Sequence, residues 1–193
     1  MTMSLTQDPA DNGASTPRLS VVVPAHNEED NLALLVEQMD LTIRQKGVDA
    51  ELILVDDGST DKTKQIAQNL MKDHHWVRLL HRPQCAGQSS AMYAGIQAAD
   101  APWIATLDAD LQNDPADLLP MLERVEAGEA DMVQGDRSAN RRDTIARRYA
   151  SIVGRTARRM LLGDGVRDTG CSARVMKASY AKQIPLQYKG MHR

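Results

Sequence analysis

Apolar and polar positions along this chain alternate between two periods. Residues 19–23, 51–55, 77–80, 103–107 and 131–134 are short, apolar-rich runs, the pattern of strands covered on both faces. Pro24 closes the first run. Between the runs, apolar residues recur every three or four positions, as they do along one side of a helix. Leu32, Leu34, Leu35, Met39 and Ile43 form the first such side, with Asn27 as its candidate cap and Gly47 as its stop. After the turn residues Gly58, Ser59, Thr60 and Asp61, a second helix carries Ile66, Leu70 and Met71 and ends near His74 and His75, where cations suit the helix dipole. Residues 87–98 predict a third helix. Residues 115–127 predict a fourth, opened by Pro115, capped by Asn113 or Asp114, and ended by Gly128. Strands alternating with helices predict an α/β fold, a Rossmann-like, mostly parallel sheet with helices on both faces.

Composition narrows the class. With 193 residues, 42% of them hydrophobic and 25% charged, the chain suits one globular domain. Residues 1–18 are polar and read as a flexible tail, leaving 19–193 as the domain. The net charge of −3 and the absence of Phe argue against a nucleic-acid partner, which would want basic patches and stacking platforms. Cys85 and Cys171 stand far apart and read as reduced thiols, and the histidines show no zinc spacing. No secretory h-region and no run of about 18 apolar residues occurs, so the expected location is cytoplasmic.

Candidate chemistry gathers where runs end. Asp108, Ala109, Asp110, Leu111 and Gln112 follow the run 103–107, and Asp56 and Asp57 follow 51–55. In an open α/β sheet, ligands bind beyond the carboxyl ends of the strands. Carboxylates and a side-chain carbonyl at alternate positions suit a hard divalent cation, Mg²⁺ or Mn²⁺, which leaves coordination positions for phosphates. The first loop, Pro24 to Glu29, lacks both glycine-rich phosphate cradles, so phosphate charge falls to a metal and to arginines. On extended backbone, Asp108, Asp110 and Gln112 would point one way. Asp110 and Gln112 are the best candidate metal ligands, and Asp108 is either a third ligand or a contact to sugar or ribose.

Taken in order, three segments carry a resemblance: Val22 to Glu29, Val55 to Asp61, and Leu107 to Gln112. They resemble the inverting family 2 glycosyltransferases of the GT-A fold. Gly87-Gln88, Gly135-Asp136-Arg137 and Asp168-Thr169-Gly170-Cys171 are similar to the polyprenyl-phosphate branch of that family, which includes dolichol-phosphate mannosyltransferases and bacterial undecaprenyl-phosphate sugar transferases. The match covers residues 19–193. His26 stands where many members carry Tyr.

The resemblance implies metal-dependent, inverting transfer of a sugar from a nucleoside diphosphate to a polyprenyl phosphate. The run through Asn113, Asp114 and Pro115 favours a UDP-sugar over GDP-mannose. Pro24, Ala25 and Glu28 become nucleotide contacts, and Gly87, Ala109 and Arg137 join the donor site. Adjacent side chains point apart. One of Asp56 and Asp57 therefore accepts from the base while the other orders the Gly58-Ser59 turn; Asp56 is assigned to the base. Asp110 and Arg137 serve catalysis by stabilising the leaving diphosphate. Asp168 is a base or positioner for the acceptor, or else a loop carboxylate paired with Arg167 or Arg174. Relatives continue past Arg193, so a C-terminal part of the pattern is expected to be missing here.

Seven arginines lie between residues 141 and 159, beside an apolar side formed by Ile145, Tyr149, Ile152, Val153, Thr156 and Met160. This segment is either a solvated basic face or a helix resting on an anionic membrane surface, with Arg148, Arg155 and Arg159 along its edge and Arg141 or Arg142 near phosphate. The second option makes the protein peripheral to the inner face of the membrane. Two other readings compete: a non-catalytic nucleotide-sugar-binding module, and a sugar-nucleotide pyrophosphorylase, which would want a basic, glycine-rich first loop.

Overall fold

The computed structural model describes residues 16–136 and 171–186. The chain divides into two units, residues 1–134 with 172–193 and residues 135–171; the sheet belongs to the first. Its elements are β1 (Leu19–Ala25), α1 (Leu32–Met39), β2 (Ala50–Asp57), α2 (Thr63–Asp73), β3 (Val77–Arg82), α3 (Gln88–Ala98), β4 (Trp103–Thr106), α4 (Leu118–Glu126), β5 (Met132–Gln134), β6 (Arg174–Lys177) and the single-turn α5 (Ala178–Ala181).

The sheet order is β3-β2-β1-β4-β6-β5, with β1 to β4 parallel and β6 antiparallel to both of its neighbours. The chain steps outward from β1 to β3, then returns to the other side of β1 as β4. That reversal makes the β1/β4 boundary the switch point, where a crevice opens beyond the strand ends. The expected mostly parallel sheet is present. The sequence pattern did not reveal β6, whose four residues sit between β4 and β5.

Both faces of the sheet are dry. Val22, Ile53, Val55, Leu80 and Ile104 form one core cluster with Ala91 and Ile96 of α3. Their strand neighbours Val21, Val23, Leu52 and Leu54, which point the other way, are equally buried. Each such side chain contributes about 1.5–3 kcal/mol on leaving water. Gly95 lets α3 lie close on the sheet, because a Cβ there would collide with Val22 and Val55.

Two boundaries differ from the sequence pattern, each for a physical reason. Pro24 does not close β1, which runs on to Ala25. The Val22 carbonyl accepts from Leu107 on the β4 side, so Pro24, two residues on, turns its missing N–H toward that side after β4 pairing has ended at Val22. Asn27 does not cap α1. It has φ 57°, a left-handed conformation that Asn tolerates, and the helix starts after Asn31. Leu34 is 44% exposed, so the buried side of α1 is Leu32, Leu35, Val36 and Met39, continuing to Ile43 through a wider turn over Asp40–Arg44. The cap before Pro115 is Asp114, which accepts from the Ala116 N–H.

Candidate functional site

An open cleft of about 400 Å³ lies at the carboxyl ends of the parallel strands. Pro24, Ala25, His26 and Glu28 line it from the end of β1, Asp57 from β2, Cys85, Gly87 and Gln88 from the β3–α3 connection, and Asp108, Ala109 and Asp110 from the loop after β4. Four separate segments thus converge where the strand order reverses.

The β1 loop is held by the β2 loop. The Asn27 N–H donates to Ser59 Oγ, and Asn27 Oδ1 accepts from the Thr60 N–H at 2.8 Å. The next two amides continue the clamp, Glu28 onto Thr63 Oγ1 and Glu29 onto Asp61. Burial alone would raise the Asp61 pKa, but hydrogen bonds from Thr63 and from the backbone outweigh it and hold the carboxyl below the ordinary range. Asn31 Nδ2 donates to Glu28 Oε2 at 2.7 Å and fixes that carboxylate at the cleft wall.

Asp56 and Asp57 point apart, as adjacent strand residues must, and it is Asp56, assigned to the base from sequence, that orders the Gly58-Ser59 turn. Asp56 is buried and does not line the cleft. It orders the turn by accepting from the Ser59 N–H at 3.0 Å, and it takes a second bond from His81 Nδ1 at 2.8 Å. Asp57 is the one at the cleft. It accepts from the backbone of Ala86 and Gly87 and from Cys85 Sγ, with Arg82 Nη1 3.3 Å away. The Asp57 carbonyl accepts from His26 Nδ1, leaving Nε2 as the acceptor of the His26 ring. Gly58 brings the β2 turn against the backbone of Gln84 and Cys85, where a Cβ would lie 2.6 Å from the Cys85 nitrogen.

Beyond β4 the chain leaves extended geometry. Leu111 has φ 59°, and Asp110 Oδ1 accepts from the Gln112 N–H at 3.1 Å, closing a local turn. The expected common direction of Asp108, Asp110 and Gln112 therefore does not hold. Asp108 and Asp110 reach the cleft, while Gln112 is exposed and absent from its lining. Thr106 Oγ1 and Asn113 Nδ2 tie this loop to Ser172, just before β6.

Asp108 Oδ1 accepts from Gln88 Nε2 at 2.7 Å, and the Oδ2 atoms of Asp108 and Asp110 accept from no other described residue. The Asp108 and Asp110 carboxylates fit a hard cation that draws its remaining ligands from water and phosphate. Among the described residues no three His, Cys, Asp or Glu side chains form a closed cage. Arg137, Asp168 and the basic segment 141–162 lie outside the described residues.

Three positions escaped the sequence reading as site residues: Cys85 and Gln88, which line the cleft, and Arg82, which stands beside Asp57. Arg82 was detectable in principle, because it pairs in register with Asp57 on the neighbouring strand. Gln88 was part of the Gly87-Gln88 motif but carried no signal of a role at the site.

Comparison with known proteins decides the family. The description "Glycosyl transferase family 2" matches residues 20–184. The chain belongs to glycosyl transferase family 2. Among its relatives are the dodecaprenyl-phosphate galacturonate synthase of Rhizobium johnstonii, 37% identical over 91% of this chain and 52% of that protein, and the undecaprenyl-phosphate 4-deoxy-4-formamido-L-arabinose transferase of Photorhabdus laumondii, 39% identical over 83% and 49%. The chain thus spans about half the length of these curated relatives. Among solved structures, glucosyl-3-phosphoglycerate synthase of Mycobacterium tuberculosis with Mn²⁺, UDP-glucose and phosphoglyceric acid is similar at a TM-score of 0.62 and 22% identity, over 84% of this chain and 57% of that one. At that identity the likeness bears out the fold, a GT-A-type family 2 domain.

Proposed function

We propose that this family 2 domain supports metal-dependent transfer of a sugar from a nucleoside diphosphate to a polyprenyl phosphate, with inversion at the anomeric carbon. The observation that carries this reading is the convergence of the β1 loop, Asp57, Gly87 and the Asp108/Asp110 pair on one cleft at the switch point. The names of the relatives supply the acceptor class, polyprenyl phosphate.

In this reading the clamped β1 loop receives the nucleoside, with Glu28 accepting from ribose hydroxyls and Asp57 standing closest to the base. Asp108 and Asp110 hold Mg²⁺ or Mn²⁺ against the diphosphate. When bound, the cation supplies positive charge to the departing nucleoside diphosphate, so departure needs no acid side chain. An acceptor phosphate is already anionic near neutral pH, and a strong base is unnecessary. UDP is the favoured nucleotide. Arg137 stabilising the diphosphate, Asp168 positioning the acceptor and the basic segment 141–162 resting on an anionic membrane surface complete the proposal on sequence grounds. No helix of the described residues is long and apolar enough to cross a membrane.

The test is transfer from UDP- and GDP-sugars to undecaprenyl phosphate, followed by mass spectrometry of the lipid with Mn²⁺ and with EDTA. Lipid-linked sugar formed only with metal supports the reading. Donor binding without donor turnover or transfer marks a non-catalytic binding module instead.

A further inference from the structure

We propose that Gln88 is a positioning residue that couples the nucleotide side of the cleft to its metal side; the inference rests on the donor reading above. Asp57, on β2, accepts from the Gly87 N–H at 2.8 Å. Gly87 has φ 97°, a conformation that suits glycine, and it is the cap from which α3 starts. The carboxylate at the end of β2 therefore fixes the first turn of α3. Gln88 is the first residue of that turn, and its Nε2 donates to Asp108 Oδ1 at 2.7 Å. A carboxylate only accepts, which settles the amide's orientation. The path from Asp57 through Gly87 and Gln88 to Asp108 is continuous and crosses from one carboxylate motif to the other.

The chemistry of the amide matters. A cationic side chain at this position would neutralise Asp108 and compete with a metal for it. A neutral amide instead holds one oxygen and leaves Oδ2 for a cation. Side chains that orient metal ligands in this way typically alter metal affinity by about 10–100-fold when removed. Gln88 is exposed, so replacing it disturbs little packing.

The experiment is calorimetric titration of UDP, and of GDP in parallel, into the whole 193-residue chain with Mn²⁺ and with EDTA. Wild type, Gln88→Leu, Asp108→Asn and the double variant are compared. For the nucleotide that binds more tightly, Gln88→Leu should lower Mn²⁺-supported affinity about tenfold. Its affinity in EDTA and its melting temperature should match wild type. Adding Gln88→Leu to Asp108→Asn should cause no further loss, because the amide acts through that carboxylate. Wild-type affinity of Gln88→Leu with Mn²⁺, an equal loss in EDTA, or additive losses in the double variant would each overturn the proposal. A wild-type protein whose nucleotide affinity ignores Mn²⁺ would instead overturn the donor reading, and this inference with it.

Discussion

The two ends of one sheet are built from the same residue types and are put to different use. At the amino ends of β1, β2 and β3, Ser20, Glu51 and Arg78 meet the segment before β4 in a closed network. Glu51 accepts from Ser20 Oγ, from the Asp100 N–H at 3.0 Å and from Arg78 Nη1 at 2.6 Å, and Ser20 Oγ accepts from the Ala101 N–H. Arg78 also bonds Asp100 at 2.8 Å. Burial would lower the Arg78 pKa, but the bonds and charge of Glu51, then of Asp100, hold it above its ordinary value. At the carboxyl ends, Asp108 and Asp110 are partly exposed, carry no arginine partner among the described residues, and each has an oxygen to spare. A carboxylate satisfied by protein holds strands together. One left half-satisfied beside a cleft is available to a ligand.

Removing Glu51 should produce the largest structural effect. Glu51→Ala leaves Ser20 Oγ, the Asp100 N–H and part of Arg78 without their acceptor, costing about 3 kcal/mol. Urea unfolding should register that loss, while nucleotide affinity of the folded protein stays at the wild-type value. A fall in affinity without loss of stability would erase the distinction between the two ends.

Asn27 tests the clamp that joins scaffold to site. Asn27→Ala loses the acceptor for Thr60 and places Ala at a left-handed position, costing about 1–2 kcal/mol. Nucleotide affinity should weaken severalfold as well, because the β1 loop is less ordered. Asn27→Gly should recover part of the stability, since glycine accepts the backbone angle but not the bonds. Thermal melts paired with nucleotide titration separate these contributions.

The smallest effect concerns pH. The Asp61 carboxyl is held below its ordinary value of 3.8. Its contribution is therefore fully present above that pH and is lost as pH falls through the lower, folded-state value. The melting-temperature gap between wild type and Asp61→Asn should be constant from pH 7 to 5 and narrow in stronger acid. A gap that widens there would reverse the sign of this contribution.

The sequence made the strand ends legible because apolar runs followed by carboxylates carry a local signal. β1 to β5, the family resemblance and the positions of Asp57, Asp108 and Asp110 followed from it. Contacts between distant segments were much less legible. The partners of Asp56 and Asp57 were not legible, because His81, 25 residues away, bonds the first of them and the segment 85–87 bonds the second. Gln112 does not line the cleft with Asp108 and Asp110, because Leu111 takes a left-handed angle that nothing in its own side chain requires. β6 went unread because only Val175 and Met176 are apolar in it, between Arg174 and Lys177, so no apolar run stands out.

On the proposed reading, the half-satisfied carboxylates bind a metal–nucleoside diphosphate and contribute little to folding. Asp110→Ala tests it most directly, with UDP titrated in the presence of Mn²⁺ and a urea melt on the same sample. Mn²⁺-dependent affinity should fall by about 2–4 kcal/mol while unfolding free energy stays within about 0.5 kcal/mol of wild type. Unchanged nucleotide affinity in a folded Asp110→Ala protein would contradict it.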